Sequence, residues 1–384
     1  MKKKIIYWSP CLNHVGTVKA TINSVKSLSN YDINHNYSIF LLNICGEWSN
    51  YENDLRKNNI NFVNLTFKYF HLLPKKGKIL SRVSYLIIFV ISFFPLILFL
   101  KREKPQYFIA HLVTSLPIFI FKLFNWKTKL ILRISGYPKL NILRKIFWKI
   151  SNNSIFKVTA PTNTTLKLLE KSNIFSKNKM IYLPDPILNI KDIQKMKSDN
   201  SLINENLSIS NSLVSIGRLT KQKNFSFLIS AFGKLQKKYK NINLFILGDG
   251  EQKKFLESEI QKLDLKDKVY LVGHQDNIFK YLKHAKIFVL TSLWEDPGFV
   301  LLEAAYMNKI VLSSDCPSGP KEILDNDNNG FLFKTNSYES FLKKFDDLIN
   351  SDEDSIIFKK KCLKRKSKEF TFFNHFKILK LILN

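Results

Sequence analysis

The stretch "LWEDPGFVLLEAA", Leu293–Ala305, sets two carboxylates, Glu295 and Glu303, eight positions apart around a Pro297-Gly298 turn and an apolar run. Eight steps of about 100° along one helix would leave them on different faces. With Glu295 on a loop and Glu303 one turn into a helix starting near Phe299, both can converge on one ligand. The helix N-terminus would then point at that ligand's phosphates. A carboxylate accepts paired hydrogen bonds from vicinal hydroxyls, so the pattern suits a sugar at one position and a ribose at the other. The plain alternative is two ordinary surface charges.

Other residues upstream extend this chemistry. In "SIGRLTKQKNF" Gly217 allows a tight turn after an apolar strand. Arg218 and Lys223, just before a helix, form a clamp for a diphosphate unless they are merely solvated. Gly248-Asp249-Gly250 joins a strand to a helix. It either lets the backbone approach a ligand or is a turn in which Asp249 caps the helix. Gly273 follows a further strand, in position to meet a flat base through its backbone, and His274 beside it reads as a loop residue. No Asp-x-Asp stands at a strand end to hold a metal, and Asp325-Asn326-Asp327 reads as a turn. Cys11, Cys45, Cys316 and Cys362 are scattered with no CxxC spacing, which argues against a zinc site and a disulfide framework and fits a reducing cytoplasm.

Such residues need strands that end beside them, and the chain supplies the pattern. Apolar runs at Ile5–Trp8, Ser38–Leu42, Phe62–Phe67, Tyr107–Ala110, Leu130–Ile134, Lys157–Thr159 and Met180–Leu183 form one series. Leu213–Ile216, Asn243–Leu247, Val269–Leu271, Ile287–Leu290 and Ile310–Leu312 form a second. Helix-length segments separate them, which predicts parallel sheets covered on both faces. The polar stretch at 189–212 reads as a linker between a first domain, 1–188, and a second, 213–365. The expected fold class is α/β, two Rossmann-like doubly wound domains facing a cleft, where ligands of such sheets bind. The opening "MKKKIIYWSP" has too short an apolar run for a secretory leader, so Lys4–Trp8 is expected to be a buried strand.

Charge is the loudest bulk property, +29 over 384 residues. It is uneven: residues 1–190 hold 28 Lys and Arg against 7 Asp and Glu, and the remainder 32 against 24. A basic first half should face something anionic. Within it Val83–Leu100 runs for 18 residues without a charge, between Arg82 and the "KREK" of Lys101–Lys104. Its length is marginal for a membrane span, and Pro95 and its place between strands of one sheet weigh against spanning. The expectation is a helical hairpin or an interfacial helix over 83–104, apolar side in lipid and basic flanks at anionic headgroups, with a buried core helix and a true span as alternatives.

Taken in order, GRL-x4-K, GDG, VGH-x-DN, E-x7-E and "SSDCPSGPKEIL" (Ser313–Leu324) resemble the nucleotide-sugar domain of GT-B glycosyltransferases, above all the retaining family 4 enzymes (glycosyl transferases group 1) that build bacterial surface polysaccharides. The likeness is strong over about 210–335 and fainter before it, where "IAHLVTSLP" and "LILRISGYPKLNILRK" are similar to acceptor-domain segments. The closing "EFTFFNHFKILKLIL", within 366–384, matches a final helix that packs back on the first domain. The resemblance implies that Arg218 and Lys223 hold the donor's diphosphate, Glu303 the ribose, and Glu295 with the amides near Gly298–Val300 the transferred sugar. It also implies catalysis with retention and without metal or resident cofactor, from a donor that is a UDP-sugar by family habit. Two departures concern the acceptor side: "NHVGTVKAT" has a lone Gly16, and Ser135 stands where many relatives have a histidine. His111 is then the remaining histidine candidate in the first domain's cleft, either orienting the sugar or satisfied structurally.

The function expected is transfer of a sugar to a lipid-linked or polysaccharide acceptor, at the inner face of the cell membrane. A nucleotide-sugar epimerase of similar fold is the nearer rival and would leave 83–100 unexplained. A non-enzymatic basic protein on membrane or nucleic acid is the other, supported by charge alone, with no nucleic-acid-reading motif.

Overall fold

The computed structural model describes residues 2–12, 16–65, 73, 78–134, 138, 140–199 and 211–384. The chain divides into two compact units, Met1–Pro186 with Phe372–Asn384, and Ile187–Thr371. Each is built on one fully parallel sheet.

In unit 1 the strands are β1 (Lys3–Trp8), β2 (Tyr37–Asn43), β3 (Asn61–Asn64), β4 (Tyr107–His111), β5 (Lys129–Arg133), β6 (Lys157–Ala160) and β7 (Met180–Tyr182), in the order β3-β2-β1-β4-β5-β6-β7. Unit 2 repeats the plan with β8 (Ser212–Ile216), β9 (Asn243–Leu247), β10 (Val269–Gly273), β11 (Ile287–Leu290), β12 (Ile310–Ser314) and β13 (Phe331–Phe333), ordered β10-β9-β8-β11-β12-β13. The chain order reverses between β1 and β4 in one sheet and between β8 and β11 in the other, and such reversals open a crevice at the strands' carboxyl ends. The expected strands are present. β13 was not anticipated, and the Phe67 end proposed for β3 lies outside the described residues.

Successive side chains along a strand point to opposite faces, and here both faces are buried. In unit 2, Leu213, Leu244 and Ile246 pack under α8 (Phe225–Gln236), α9 (Lys253–Lys262) and α13 (Tyr338–Asn350). Their neighbours Val214, Phe245 and Leu247 pack under α10 (Ile278–His284), α11 (Phe299–Tyr306), α12 (Gly319–Ile323) and α14 (Glu353–Ser367). In unit 1, α1 (Gly16–Tyr31), α2 (Glu52–Lys57) and the last helix, α15 (Phe372–Leu383), cover one face. The other is covered by α3 (Lys78–Glu103), α4 (Ser115–Leu123), α5 (Ile142–Ile150) and α6 (Asn163–Lys171).

Three expectations need correction. The apolar segment is no hairpin: α3 is one helix that runs through Pro95. Ser84, Ile88, Ser92, Leu96 and Leu100 recur every four residues and are fully buried, so one stripe is held against the sheet along its length even where proline removes a backbone donor. Opposite them Leu86, Val90, Phe94 and Leu98 are 62–71% exposed. Second, part of the expected linker is a helix. Ile190–Lys197 forms an eight-residue helix, α7, anchored by buried Ile193, while 200–210 lies outside the described residues. Third, the first and last boundaries move. Backbone amides of Ile187 and Leu188 donate to Phe370 O (2.8 and 3.0 Å), which ties 368–371 to unit 2, and only from Phe372 does the chain belong to unit 1.

Candidate active site

The loops after β8 and β11 meet where the order of the second sheet reverses. Leu293 N donates to Gln222 O (2.8 Å), Gln222 Nε2 to Trp294 O (2.9 Å), and Thr291 Oγ1 to Lys223 O (3.0 Å). This lacing brings the Lys223 ammonium onto the Glu295 carboxylate in a direct ion pair, and Ser292 Oγ donates to the same Oε1 (2.6 Å). The side chains are 15% and 8% exposed. Two residues expected to hold different parts of a ligand are therefore partners of each other. An ammonium has three donors, so the pair leaves Lys223 two N–H groups while fixing where its charge sits.

Gly298 precedes α11 at a φ of +99°, a conformation a side chain would strain, and its Cα stands over Glu295, whose Cβ is 3.6 Å from where a Gly298 Cβ would be. Phe299 and Val300 are half-buried in the first turn of α11, where amide groups lack partners within the helix. Glu303 lies one turn on and is buried. Cys316, in the loop after β12, lies near Glu295; burial and then that negative charge push its thiol up to about 12, so it stays protonated.

Arg218 is exposed and forms no ion pair among the described residues, consistent with a cation left for a ligand. Gly248 and Gly250 are required by packing within the chain itself. A Cβ on Gly248 would lie 1.9 Å from Gly217 O, and one on Gly250 2.5 Å from Leu219 O. Both positions thus admit the Gly217–Leu219 loop itself, and Leu219 N donates to Asp249 O (2.9 Å) to hold it. Asp249 accepts from Gly250 N (2.8 Å) and does not cap α9, whose N-cap is Gln252. Gly273 accepts from Gly248 N (2.8 Å) and has open space around its Cα, as approach of a flat group requires. His274 is an exposed loop residue 3.4 Å from Asp276. Asp325–Asp327 forms a short turn, and no cluster of metal-ligating side chains occurs among the described residues.

In unit 1, His111 ends β4 and is buried. Its Nδ1 contacts Thr21 Oγ1 and lies 3.4 Å from Ser9 Oγ, while Nε2 has no partner among the described residues. Burial, with the Arg133 charge second, holds it well below the usual histidine range, so the imidazole is neutral. Ser135 lies outside the described residues. Neighbouring Arg133, on β5, donates through Nη2 to Asp185 Oδ1 (2.5 Å) in a buried pair. Sequence reasoning missed this pair, since 52 residues separate its members. It also missed Ser292, although the Ser-x-x-Glu spacing before Glu295 was there to be read.

Comparison with known proteins fits this geometry. Residues 200–365 match the family model of glycosyl transferases group 1. An uncharacterized glycosyltransferase of Methanocaldococcus jannaschii is 37% identical over 249 residues, 59% of this chain and 59% of that protein, so the match spans about three fifths of the relative's length. The N-acetylgalactosamine-N,N'-diacetylbacillosaminyl-diphospho-undecaprenol 4-alpha-N-acetylgalactosaminyltransferase of Campylobacter jejuni is 27% identical over 65% of this chain and 68% of its own. The solved structure of Anabaena HepE, in complex with UDP and glucose, superposes with a TM-score of 0.69 at 14% identity, covering 99% of both chains. The fold is that of the GT-B glycosyltransferases, and residues 200–365, within unit 2, are similar to the group 1 domain.

Proposed function

We propose that this chain is a glycosyltransferase that moves a sugar from a nucleoside-diphosphate donor, read as a UDP-sugar, to a lipid-linked or growing glycan acceptor in cell-surface glycan synthesis. The observation that carries the reading is the Lys223–Glu295–Ser292 contact at the β8–β11 reversal, with Glu295 against Gly298 at the start of α11. It sets a cation and a carboxylate beside the first turn of a helix, with Arg218 on the same β8 loop as Lys223, which is what a sugar diphosphate needs.

In the reaction the bond from the anomeric carbon to the diphosphate oxygen breaks and a new bond to an acceptor hydroxyl forms on the same face. The hydroxyl proton passes to the departing phosphate oxygen. Charge growing on that oxygen is met by Arg218 and the two remaining Lys223 N–H groups, each well-placed donor worth about 3 kcal/mol. Glu295 holds Lys223 and accepts from hydroxyls of the moving sugar, and Glu303 accepts from the ribose. No step asks for a metal or a resident cofactor. The outward apolar stripe of α3 between Arg82 and Lys101–Lys104 supports residence on the inner face of the membrane, against anionic lipid.

Calorimetric titration of nucleoside diphosphates and their sugars, with and without a chelator, tests the reading. Expected are chelator-insensitive binding of UDP, a loss of about tenfold in Glu303→Ala, equivalent to about 1.4 kcal/mol, and a comparable loss in Arg218→Ala. Folded protein that binds no nucleotide would sink it.

A further inference from the structure

Two neighbouring residues in the loop after β12 hold backbone geometry that an ordinary loop avoids. Ser318 stands at φ +75° and ψ −140°, a region entered without strain only by glycine. Gly319, next to it, opens α12. A Cβ on Gly319 would lie 1.7 Å from Pro297 O and 2.7 Å from Pro297 Cα, the tightest such approach among the described glycines. Gly319 itself lies outside the left-handed region. Space therefore excludes a side chain there, not conformation.

Pro297 belongs to the β11 loop that carries Glu295, and two further contacts join the same two segments. Ser314 Oγ, at the end of β12, donates to Ser292 O (2.7 Å), and Glu295 N lies 3.5 Å from Pro317 O. Ser292 in turn donates through its own hydroxyl to Glu295 Oε1 (2.6 Å). Ser314, Ser292 and Cys316 are all buried. Residues 314–319 thus touch the β11 loop at 292, 295 and 297, before, at and beyond the carboxylate. β11 lies between β8 and β12 in the sheet, and the β8 loop already grips Leu293 and Trp294 through Gln222. The segment bearing Glu295 is held by the loops of both neighbouring strands.

A carboxylate that must meet particular hydroxyls needs its backbone fixed as well as its side chain. The obstacle a Gly319 Cβ would meet is a backbone carbonyl, which cannot swing aside as the end of a long side chain can. Adding that one carbon would shift the Pro297-Gly298 turn and, with it, Glu295 two residues upstream. Strain such as that at Ser318 persists only where surrounding contacts over-determine it.

We propose that Gly319, with Ser314, is a positioning residue for the transferred sugar. Residues 314–319 form the seat that aims the Glu295 carboxylate, and both residues act through Glu295 without touching the substrate. They govern the sugar half of the donor site and not its nucleotide half. This rests on the transferase reading above and adds to it the residues that orient its carboxylate.

The test is calorimetry on the full chain with UDP, UDP-glucose, UDP-galactose, UDP-N-acetylglucosamine and UDP-N-acetylgalactosamine as probes. The quantity read is the affinity of the tightest-binding UDP-sugar divided by that of UDP. Gly319→Ala should still bind UDP, which shows that it is folded, while the ratio falls about tenfold. Ser314→Ala deletes one hydrogen bond without adding bulk, and the ratio should fall about fivefold. Glu295→Gln should lower it about tenfold, and adding Gly319→Ala to that variant should lower it no further. General loosening of the domain would weaken UDP and UDP-sugars alike. Equal losses of that kind, an unchanged ratio in variants that bind UDP, or additive losses in the double variant overturn the inference. Should Gly319→Ala not fold, an unchanged ratio in Ser314→Ala overturns it alone. Wild-type protein that binds no nucleotide overturns the transferase reading instead.

Discussion

At the scale of single residues, the Lys223–Glu295 pair is the point on which structure and chemistry compete. Both members are largely buried, and removing one partner of such a pair leaves the other's charge without compensation. Lys223→Met should therefore cost about 3 kcal/mol in urea unfolding. The double variant Lys223→Met/Glu295→Gln, which removes both charges, should cost clearly less than the sum of the single losses. Sugar transfer should be abolished in all of them. Strict additivity in the unfolding series would show that the two side chains do not depend on each other. Sequence identified both residues, because cations and carboxylates at strand ends are visible in one dimension. Their contact was not visible, because it forms across 72 positions and each residue had a plausible ligand to hold. The glycines of Gly248-Asp249-Gly250 teach the same lesson: the need for glycine was legible, while the neighbour requiring it was a loop of the chain itself.

Among the elements, α3 separates what a sequence pattern can say from what packing decides. Its composition announced a lipid-seeking segment, and Pro95 suggested a break. The helix continues because the Ser84–Leu100 stripe is buried against the sheet, a tertiary fact that local propensity does not contain. β13 escaped notice for the opposite reason: three residues, Phe331–Phe333, after an Asn-Asn-Gly turn carry too little periodicity to register. The two stripes of α3 predict separable effects. Replacing the outward Val90 and Phe94 together by serine should change stability by no more than about 0.5 kcal/mol, as surface substitutions do, yet abolish flotation with vesicles containing anionic lipid. Replacing inward Leu96 by alanine should cost about 2–5 kcal/mol. Flotation unaffected by the outward changes would remove α3 from the membrane-binding surface.

At the scale of the whole molecule, α15 closes unit 1 from far along the chain. His375 is buried between Ser24 and Pro184: its Nδ1 donates to Pro184 O (2.7 Å), which leaves Nε2 to accept from Ser24 Oγ (2.8 Å). Burial, then the Arg133 charge, lowers its pKa from 6.5 to about 3. The unfolded chain thus takes up this proton below pH 6.5 and the folded one does not, so the stability His375 contributes is present above 6.5 and is lost as pH falls towards 3, by about 1.4 kcal/mol per pH unit. Glu47 runs the other way. Burial raises it to about 8, and its contribution is present below 4.5 and lost as pH rises through 8. The difference between wild type and His375→Gln isolates the histidine: the variant should be less stable at pH 7.5 and the gap should close by pH 4. A gap independent of pH would mean that His375 takes up its proton at the same pH in the folded and the unfolded chain. Because α15 follows unit 2 in the chain, the fold also carries an order of events. On the ribosome, residues 187–371 must be made before Phe376, Leu379 and Leu383 exist to cover Val25 and Leu28 of α1. At ~5–20 residues per second that is a wait of ~10–40 s. During that interval the first-made domain stands open while the second, uninterrupted in sequence, can already fold.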